Sequence, residues 1–199
     1  MIQMRCAFGQ IGLSILICEA IGLHNYNLLV GCPRERERAA KSEVKYFIGD
    51  LLEDTEFQVF RTPVSGLLAA LTSLDPFNVI HRLREFALEN AYQFRFAIRF
   101  TPIERCVPAS LEEIVRATEE LSTKIGENDS FRVTVRRRHT DLENMEVVEA
   151  AASVIPRRVD LDQPDKTVWI EIVGQWAGVS VLDQNEDILS IMTMRDDMY

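Results

Sequence analysis

The sequence predicts an α+β protein made of two consecutive mixed units. Residues 25–104 alternate apolar runs and helical periodicities in the order strand, helix, strand, strand, helix, strand. A second series, over residues 110–182, opens on a capped helix and closes on three short strands. The composition, 47% apolar and 27% charged over 199 residues, is that of a globular chain able to bury a core, in one large domain or two small ones.

Taken in order, Asn25–Cys32 (NYNLLVGC) is an apolar run suited to a buried strand, ended by Pro33. In 34–52, Val44, Phe47, Ile48, Leu51 and Leu52 recur at i, i+3, i+4, i+7 and i+8, one face of an amphipathic helix. Glu56–Arg61 and Gly66–Leu71 read as two strands around a turn at Pro63–Gly66, although Leu67-Leu68-Ala69-Ala70 also suits a helix. Asp75-Pro76 supplies an N-cap and a first-turn proline for a helix to about Asn90, with Val79, Ile80, Leu83, Phe86 and Ala87 on one face. Tyr92–Ile103 (YQFRFAIRFTPI) alternates apolar and polar residues and predicts a long, half-buried strand. The order β-α-β-β-α-β is the ferredoxin-like one.

The second unit begins after a boundary expected at Glu104–Ala109, marked by Pro108. Ser110 and Glu113 form a capping box for a helix carrying Leu111, Ile114, Val115, Thr118 and Leu121. Phe131–Val135 alternates as a strand and runs into Arg136-Arg137-Arg138-His139. Thr140 and Glu143 suggest another capping box, for a helix with Met145, Val148, Ala151, Ala152 and Ile155, stopped by Pro156. Val159–Leu161, Thr167–Val173 and Ala177–Leu182 read as short strands. The domain plan is an atypical extension over 1–24, a ferredoxin-like domain over 25–107, a second domain over 108–190 and a tail over 191–199. Within the extension, Ile11–Leu23 is interrupted by Glu19 and falls short of the roughly 20 apolar residues of a membrane span. It also lacks a good charged n-region and cleavage site. No membrane association is expected.

With 22 basic and 31 acidic residues the formal charge is −9, which by itself argues against a phosphate-binding protein. A local field decides binding, however, because charges beyond a Debye length of roughly 8 Å are screened. Basic residues do cluster. Arg132, Arg136, Arg137, Arg138 and His139 share one strand and its end, Lys124 precedes them, and Arg157 and Arg158 follow the next helix. Alternation from Phe131, Val133 and Val135 puts Arg132, Arg136 and Arg138 on the opposite face; Arg137 points with the apolar set or lies past the pairing. Such a run is either neutralised by helix carboxylates or held for an anion. Arginine forks suit phosphate oxygens, and a helix N-terminus near Thr140–Leu142 would add N–H donors. Trp176 is a candidate stacking platform for a base, with a core or turn role as the alternative.

Catalytic signatures are not evident: no GxSxG elbow, Walker A loop or GxGxxG loop occurs. His24, His81 and His139 have no metal-ligand spacing, and Cys6, Cys18, Cys32 and Cys106 form no CxxC pair and read as reduced thiols. Glu112, Glu113, Glu119, Glu120, Glu143, Glu146 and Glu149 read as solvated helix faces. No metal, cofactor or catalytic residue is expected.

Residues of about 110–189 resemble a THUMP domain. The likeness rests on Ser110–Ile125 (SLEEIVRATEELSTKI), Phe131–His139 (FRVTVRRRH), Val147–Ile155, Val159–Asp165 (VDLDQPD), Val168–Val173 (VWIEIV) and Val179–Val181, in that order. A preceding ferredoxin-like unit is that family's usual companion. The resemblance implies tRNA binding near the acceptor end. Over 25–189 it points to the stand-alone THUMP proteins of archaea and eukaryotes, which present tRNA to a separate acetyltransferase that makes N4-acetylcytidine. The expectation is therefore a cytoplasmic tRNA-binding adaptor that is not an enzyme, with tRNA and a tRNA cytidine acetyltransferase as partners. Its RNA contacts would be Lys124, Arg132, Arg136, Arg137, Arg138 and His139, extended by Arg157 and Arg158. The alternatives are a small-molecule-binding regulatory ferredoxin-like module and a subunit of another tRNA-modifying enzyme.

Overall fold

A computed structural model describes residues 24–196. Apart from His24, the expected extension over 1–24 lies outside the described residues, as does the end of the tail. The fold is α+β, with two five-stranded sheets.

The first sheet is built by β1 (Leu28–Gly31), α1 (Glu37–Val44), β2 (Gln58–Arg61), β3 (Leu67–Leu71), α2 (Pro76–Asn90) and β4 (Arg99–Pro102). All its pairings are antiparallel, in the order β4-β1-β3-β2. The Leu67–Leu71 run is a strand because it lies inside the sheet between β1 and β2, where four of its five residues are buried. Helix α1 continues from Lys45 to Leu51 with a wider turn, in which the Leu52 N–H donates to the Phe47 carbonyl at 3.1 Å. Its expected apolar face is buried: Val44, Phe47, Ile48 and Leu52 pack with Val79, Ile80 and Leu83 of α2 and with Leu28, Val30, Leu68 and Phe100 of the sheet. Asp75 caps α2 by accepting from the Asn78 N–H at 2.8 Å. At Gly66 φ is +81°, and a Cβ would lie 2.8 Å from the Cys32 carbonyl, so the turn before β3 requires glycine.

The long strand expected over Tyr92–Ile103 is not formed. Only Arg99–Pro102 pairs; Ala91–Gln93 is a single 3₁₀ turn. Up to Phe100 the buried residues are Ala91, Phe94, Ala97 and Phe100, every third rather than every second. The reason is Glu43 of α1, whose carboxylate accepts from the N–H groups of Arg95, Phe96 and Ala97 at 2.9–3.2 Å. These donors are therefore withheld from a ladder.

The second sheet comprises β5 (Arg105–Pro108), β6 (Ser130–Arg138), β7 (Arg158–Val159), β8 (Lys166–Val173) and β9 (Trp176–Leu182). Its order is β5-β9-β8-β6-β7; β6 runs parallel to β7 and β8, and the other pairs are antiparallel. Two helices, α3 (Leu111–Leu121) and α4 (Asn144–Ser153), cover one face. Ser110 caps α3 as expected, accepting from the Glu113 N–H at 3.3 Å. Around Thr140 the expectation fails: α4 starts at Asn144 with no side-chain cap, and Val147 and Ala151 carry its buried face while Met145 is exposed. Thr140 instead turns its hydroxyl to the Leu142 N–H at 3.4 Å. No helix N-terminus stands at Thr140–Leu142.

The expected boundary at 104–109 is itself a strand, β5. The chain also returns: β10 (Leu189–Ser190) pairs with β4, and α5 (Ile191–Asp196) packs on the first unit, where Arg195 donates to the carbonyls of Ala91 and Phe94. Between the sheets lies a further apolar cluster, with Tyr26, Leu29, Leu67, Ala69 and Ile103 from one side and Val173 from the other. Gly178 permits this approach, since a Cβ there would lie 2.8 Å from the Ile103 side chain. Among the described residues no helix is long and apolar enough to cross a membrane.

A candidate nucleic-acid interface

Strand β6 decides the chemistry of the second sheet through its parity. Phe131, Val133 and Val135 face α3 and α4. Thr134, Arg136 and Arg138 face the other way and sit beside Trp169 and Glu171 of β8. The first sheet also has a helix-free face, with Leu29 and Gly31 on β1 paired to Thr101 and Arg99 on β4. These two helix-free faces line a cavity of about 290 Å³, walled by Arg34, Arg99, Arg136, Arg138 and Glu171 among others.

Trp169, only 1% exposed, anchors the cleft. The Arg99 guanidinium carbon lies 5.4 Å from its ring centroid and that of Arg136 4.9 Å. Each contact contributes roughly 0.5–2 kcal/mol depending on desolvation. Glu171, 3% exposed, accepts from Trp169 Nε1 at 3.1 Å and from Arg138 Nη1 at 2.6 Å. It thus ties β6 to Trp169 on the second-sheet side of the cleft. Among the described residues the guanidinium groups of Arg99 and Arg136 make no hydrogen bond or ion pair. Burial first, and then the neighbouring Arg136 charge, hold the Arg99 guanidinium below its ordinary pKa; Glu171 opposes this and Arg138 adds to it. The cleft therefore presents more guanidinium charge than its one buried carboxylate balances.

The other expected RNA-binding residues are dispersed. Arg132 shares the Arg136 face, but its fork donates to the Gln184 amide oxygen and, at 3.2 Å, to the Leu161 carbonyl. Arg137 points to the helix side, donating to the Leu142 carbonyl at 3.0 Å and to Glu143 at 3.3 Å. His139 ends β6 with φ of +56° and lines a separate open cavity between the starts of α3 and α4. Lys124 pairs with Glu104. Arg157 is used by the carbonyls of Ile125, Gly126 and Pro156, at 2.9–3.2 Å. Arg158 lies on edge strand β7, where its charge lowers the pKa values of Asp160 and Asp165 after larger hydrogen-bond effects. Trp176 packs beside the inter-sheet cluster, its ring 6.3 Å from His24. Arg34 and Arg99 were not singled out from the sequence; the parity of β4 would place Arg99 opposite Phe100, but only the docking of the two sheets brings it to Arg136.

The VDLDQPD segment has a structural task. Asp165 accepts from the N–H and hydroxyl of Ser130, both at 2.7 Å, and so pins the start of β6. Asp160 accepts from the N–H groups of Asp162 and Gln163 at 3.1 and 2.9 Å, closing the turn between them.

Residues 108–182 match the THUMP domain model, and the chain carries a THUMP domain there. No curated protein matches the chain. Solved structures do. PH1313 from Pyrococcus horikoshii is similar with a TM-score of 0.57 at 20% identity, covering 83% of this chain and 55% of that one. A 4-thiouridine synthetase in complex with RNA and bound ATP is similar with a TM-score of 0.53 at 13% identity, covering 83% and 42%. A predicted N6-adenine-specific DNA methylase from Listeria monocytogenes gives a TM-score of 0.50 at 11% identity, covering 82% and 42%. At these identities the likeness is one of fold, and the chain spans about half the length of the structures it matches, or less. The match overturns the expectation of a protein that is not an enzyme. This fold occurs within chains named as a synthetase and a methylase, so missing catalytic motifs in 25–189 do not argue for a non-catalytic role.

Proposed function

We propose that the chain is the tRNA-binding part of a tRNA-modifying system, with the inter-sheet cleft as its phosphate-binding surface. The observation that carries this reading is the pair Arg99 and Arg136, two guanidinium groups flanking Trp169 with no hydrogen-bond or ion-pair partner among the described residues. Arginine forks in that state suit phosphodiester oxygens. Trp169 is too covered to stack on a base, so the cleft grips backbone and leaves sequence largely unread. The THUMP domain at 108–182 and the RNA in one similar structure support the same reading. Arg34 and Arg138 complete the basic wall. The cleft presents tRNA to a modifying catalytic unit, for which the N4-acetylcytidine-forming acetyltransferase is the candidate that the THUMP resemblance supplies. A cytoplasmic location goes with this role.

The test is binding of total tRNA across a salt series. Arg136→Ala/Arg138→Ala is expected to lose about tenfold or more in affinity near 0.1 M salt and to flatten the log–log salt slope by roughly 1–2, one counterion per lost phosphate contact. Wild-type affinity and slope in that double variant would refute the cleft as the RNA surface.

A further inference from the structure

Beside the cleft, and sharing Arg99 with it, lies a second cavity of about 420 Å³ between α2, β4 and the segment of β10 and α5. Its wall includes Arg84 and Arg99, the polar side chains Gln184, Asn185, Ser190 and Thr193, and no carboxylate. In a chain of formal charge −9, a wall with two cations and no anion is unusual.

Both arginines are held but incompletely used. Arg84 Nη2 donates to the carbonyls of Glu186 and Ile188, each at 2.8 Å, which fixes the orientation of the fork and leaves Nη1 uncommitted among the described residues. The Nε–H groups of Arg84 and Arg99 are buried and have no partner there. A buried donor without an acceptor is destabilising, and a charged group that has lost part of its hydration gains most from an anion at its remaining N–H edge. The Asp187 carboxylate is engaged elsewhere, pairing with His81 at 3.2 Å and accepting from the Asp183 N–H at 2.7 Å. Thr193 and Ser190, hydrogen-bonded to each other at 3.1 Å, put hydroxyl groups on the same wall. The volume lies within the range of small-ligand sites.

We propose that this cavity is a phosphomonoester site, the two guanidinium groups meeting a dianion and the hydroxyl and amide groups meeting its remaining oxygens. Two forks match a doubly charged tetrahedral group better than a single carboxylate. The monoester comes either from a free phosphorylated small molecule or from the 5′-terminal phosphate of an RNA whose backbone lies in the adjoining cleft. The second source rests on the RNA-binding reading above; the first does not.

Calorimetric titration of the protein with inorganic phosphate, alongside oligoribonucleotides differing only in a 5′-phosphate or 5′-hydroxyl end, tests the site. Arg84→Lys keeps the charge and removes the fork; Thr193→Phe, at an exposed position of α5, fills the cavity and serves if the arginine variant folds poorly. Phosphate is expected to bind the wild type and to bind either variant about tenfold more weakly, the order of one charge-assisted contact. A preference for the 5′-phosphorylated oligonucleotide that vanishes in the variants identifies the RNA end, whereas phosphate binding without that preference identifies a free monoester. Absence of both from the wild type overturns the site. Salt-sensitive tRNA binding in the same preparation would then leave the cleft standing, and its loss as well would remove the RNA-binding reading with it.

Discussion

The two faces of the second sheet share one strand and have opposite chemistry. Toward α3 and α4, β6 contributes Phe131, Val133 and Val135 to an apolar core whose outer helices carry Glu112, Glu113, Glu119, Glu120, Glu146 and Glu149. Toward the first sheet the same strand contributes Arg136 and Arg138 against Trp169 and Glu171. A difference of one residue in register separates a covered, acidic flank from a cationic cleft. Net charge says nothing of this. The formal −9 is a sum over the whole chain, while Arg34, Arg99, Arg136 and Arg138 meet in the cleft around the single carboxylate of Glu171.

The sharpest way to break this comparison is through the core that both faces depend on. Phe131→Ala should cost about 3–5 kcal/mol, as for a large aromatic deleted from a packed interior. Both tryptophans lie on the second sheet, so urea unfolding followed by tryptophan fluorescence reads that unit, and far-ultraviolet circular dichroism reads both. The shared apolar cluster and β10 predict coincident midpoints; separated midpoints would show the faces to be less coupled than their contacts imply.

A smaller effect distinguishes the two faces directly. Glu171→Gln keeps an acceptor for Trp169 Nε1 but leaves Arg138 without its counter-charge. A cost of about 2 kcal/mol is expected, less than for a fully buried pair because Arg138 retains partial exposure. Its counterpart on the helix side, Glu143→Gln, breaks an exposed 3.3 Å pair with Arg137 and should cost no more than about 0.5 kcal/mol. Equal costs by denaturant titration would erase the distinction.

The mildest expectation concerns acid. Glu37, at the start of α1, accepts from the Gly66 N–H at 2.7 Å, the Ser65 hydroxyl at 3.2 Å and the Glu35 N–H at 3.3 Å. These bonds, that of Gly66 foremost, lower its carboxyl from 4.5 to about 2. The unfolded chain thus takes up this proton at higher pH than the folded one. The contribution is full above pH 4.5, shrinks as pH falls toward 2 and is gone below it. Urea midpoints between pH 6 and 2 should fall less steeply in Glu37→Gln than in the wild type; parallel slopes would remove Glu37 from the acid response.

Much of this was legible from local pattern. The parity of Phe131, Val133 and Val135 assigns Arg136 and Arg138 to the opposite face, and the caps at Asp75 and Ser110 form where residue type predicts. What failed did so for a tertiary reason. The alternation of Tyr92–Ile103 is that of a strand, but Glu43, 52 to 54 residues away in sequence, takes three of its N–H groups. Arg99 and Arg34 carry no cluster signal because each alternates with apolar or acidic neighbours (FRFAIRF, PRERER) and neither stands in a basic run; the cluster exists only once two sheets dock. Arg157, conspicuous beside Arg158, proved to be occupied by carbonyls of the turn before β6.

The return of the chain from β9 to β10 has a consequence for the order of folding. Strand β10 must find β4 across the whole of residues 103–188, a closure whose entropic cost grows as three-halves RT per logarithm of loop length. Once β5 and β9 have paired, the two ends of the intervening unit are held side by side and the effective tether is only a few residues on each side. The closure then becomes easier by roughly 2 kcal/mol. The second sheet is thus a clasp for the first: with β5 and β9 paired, the last edge of the other sheet has only a short tether to close.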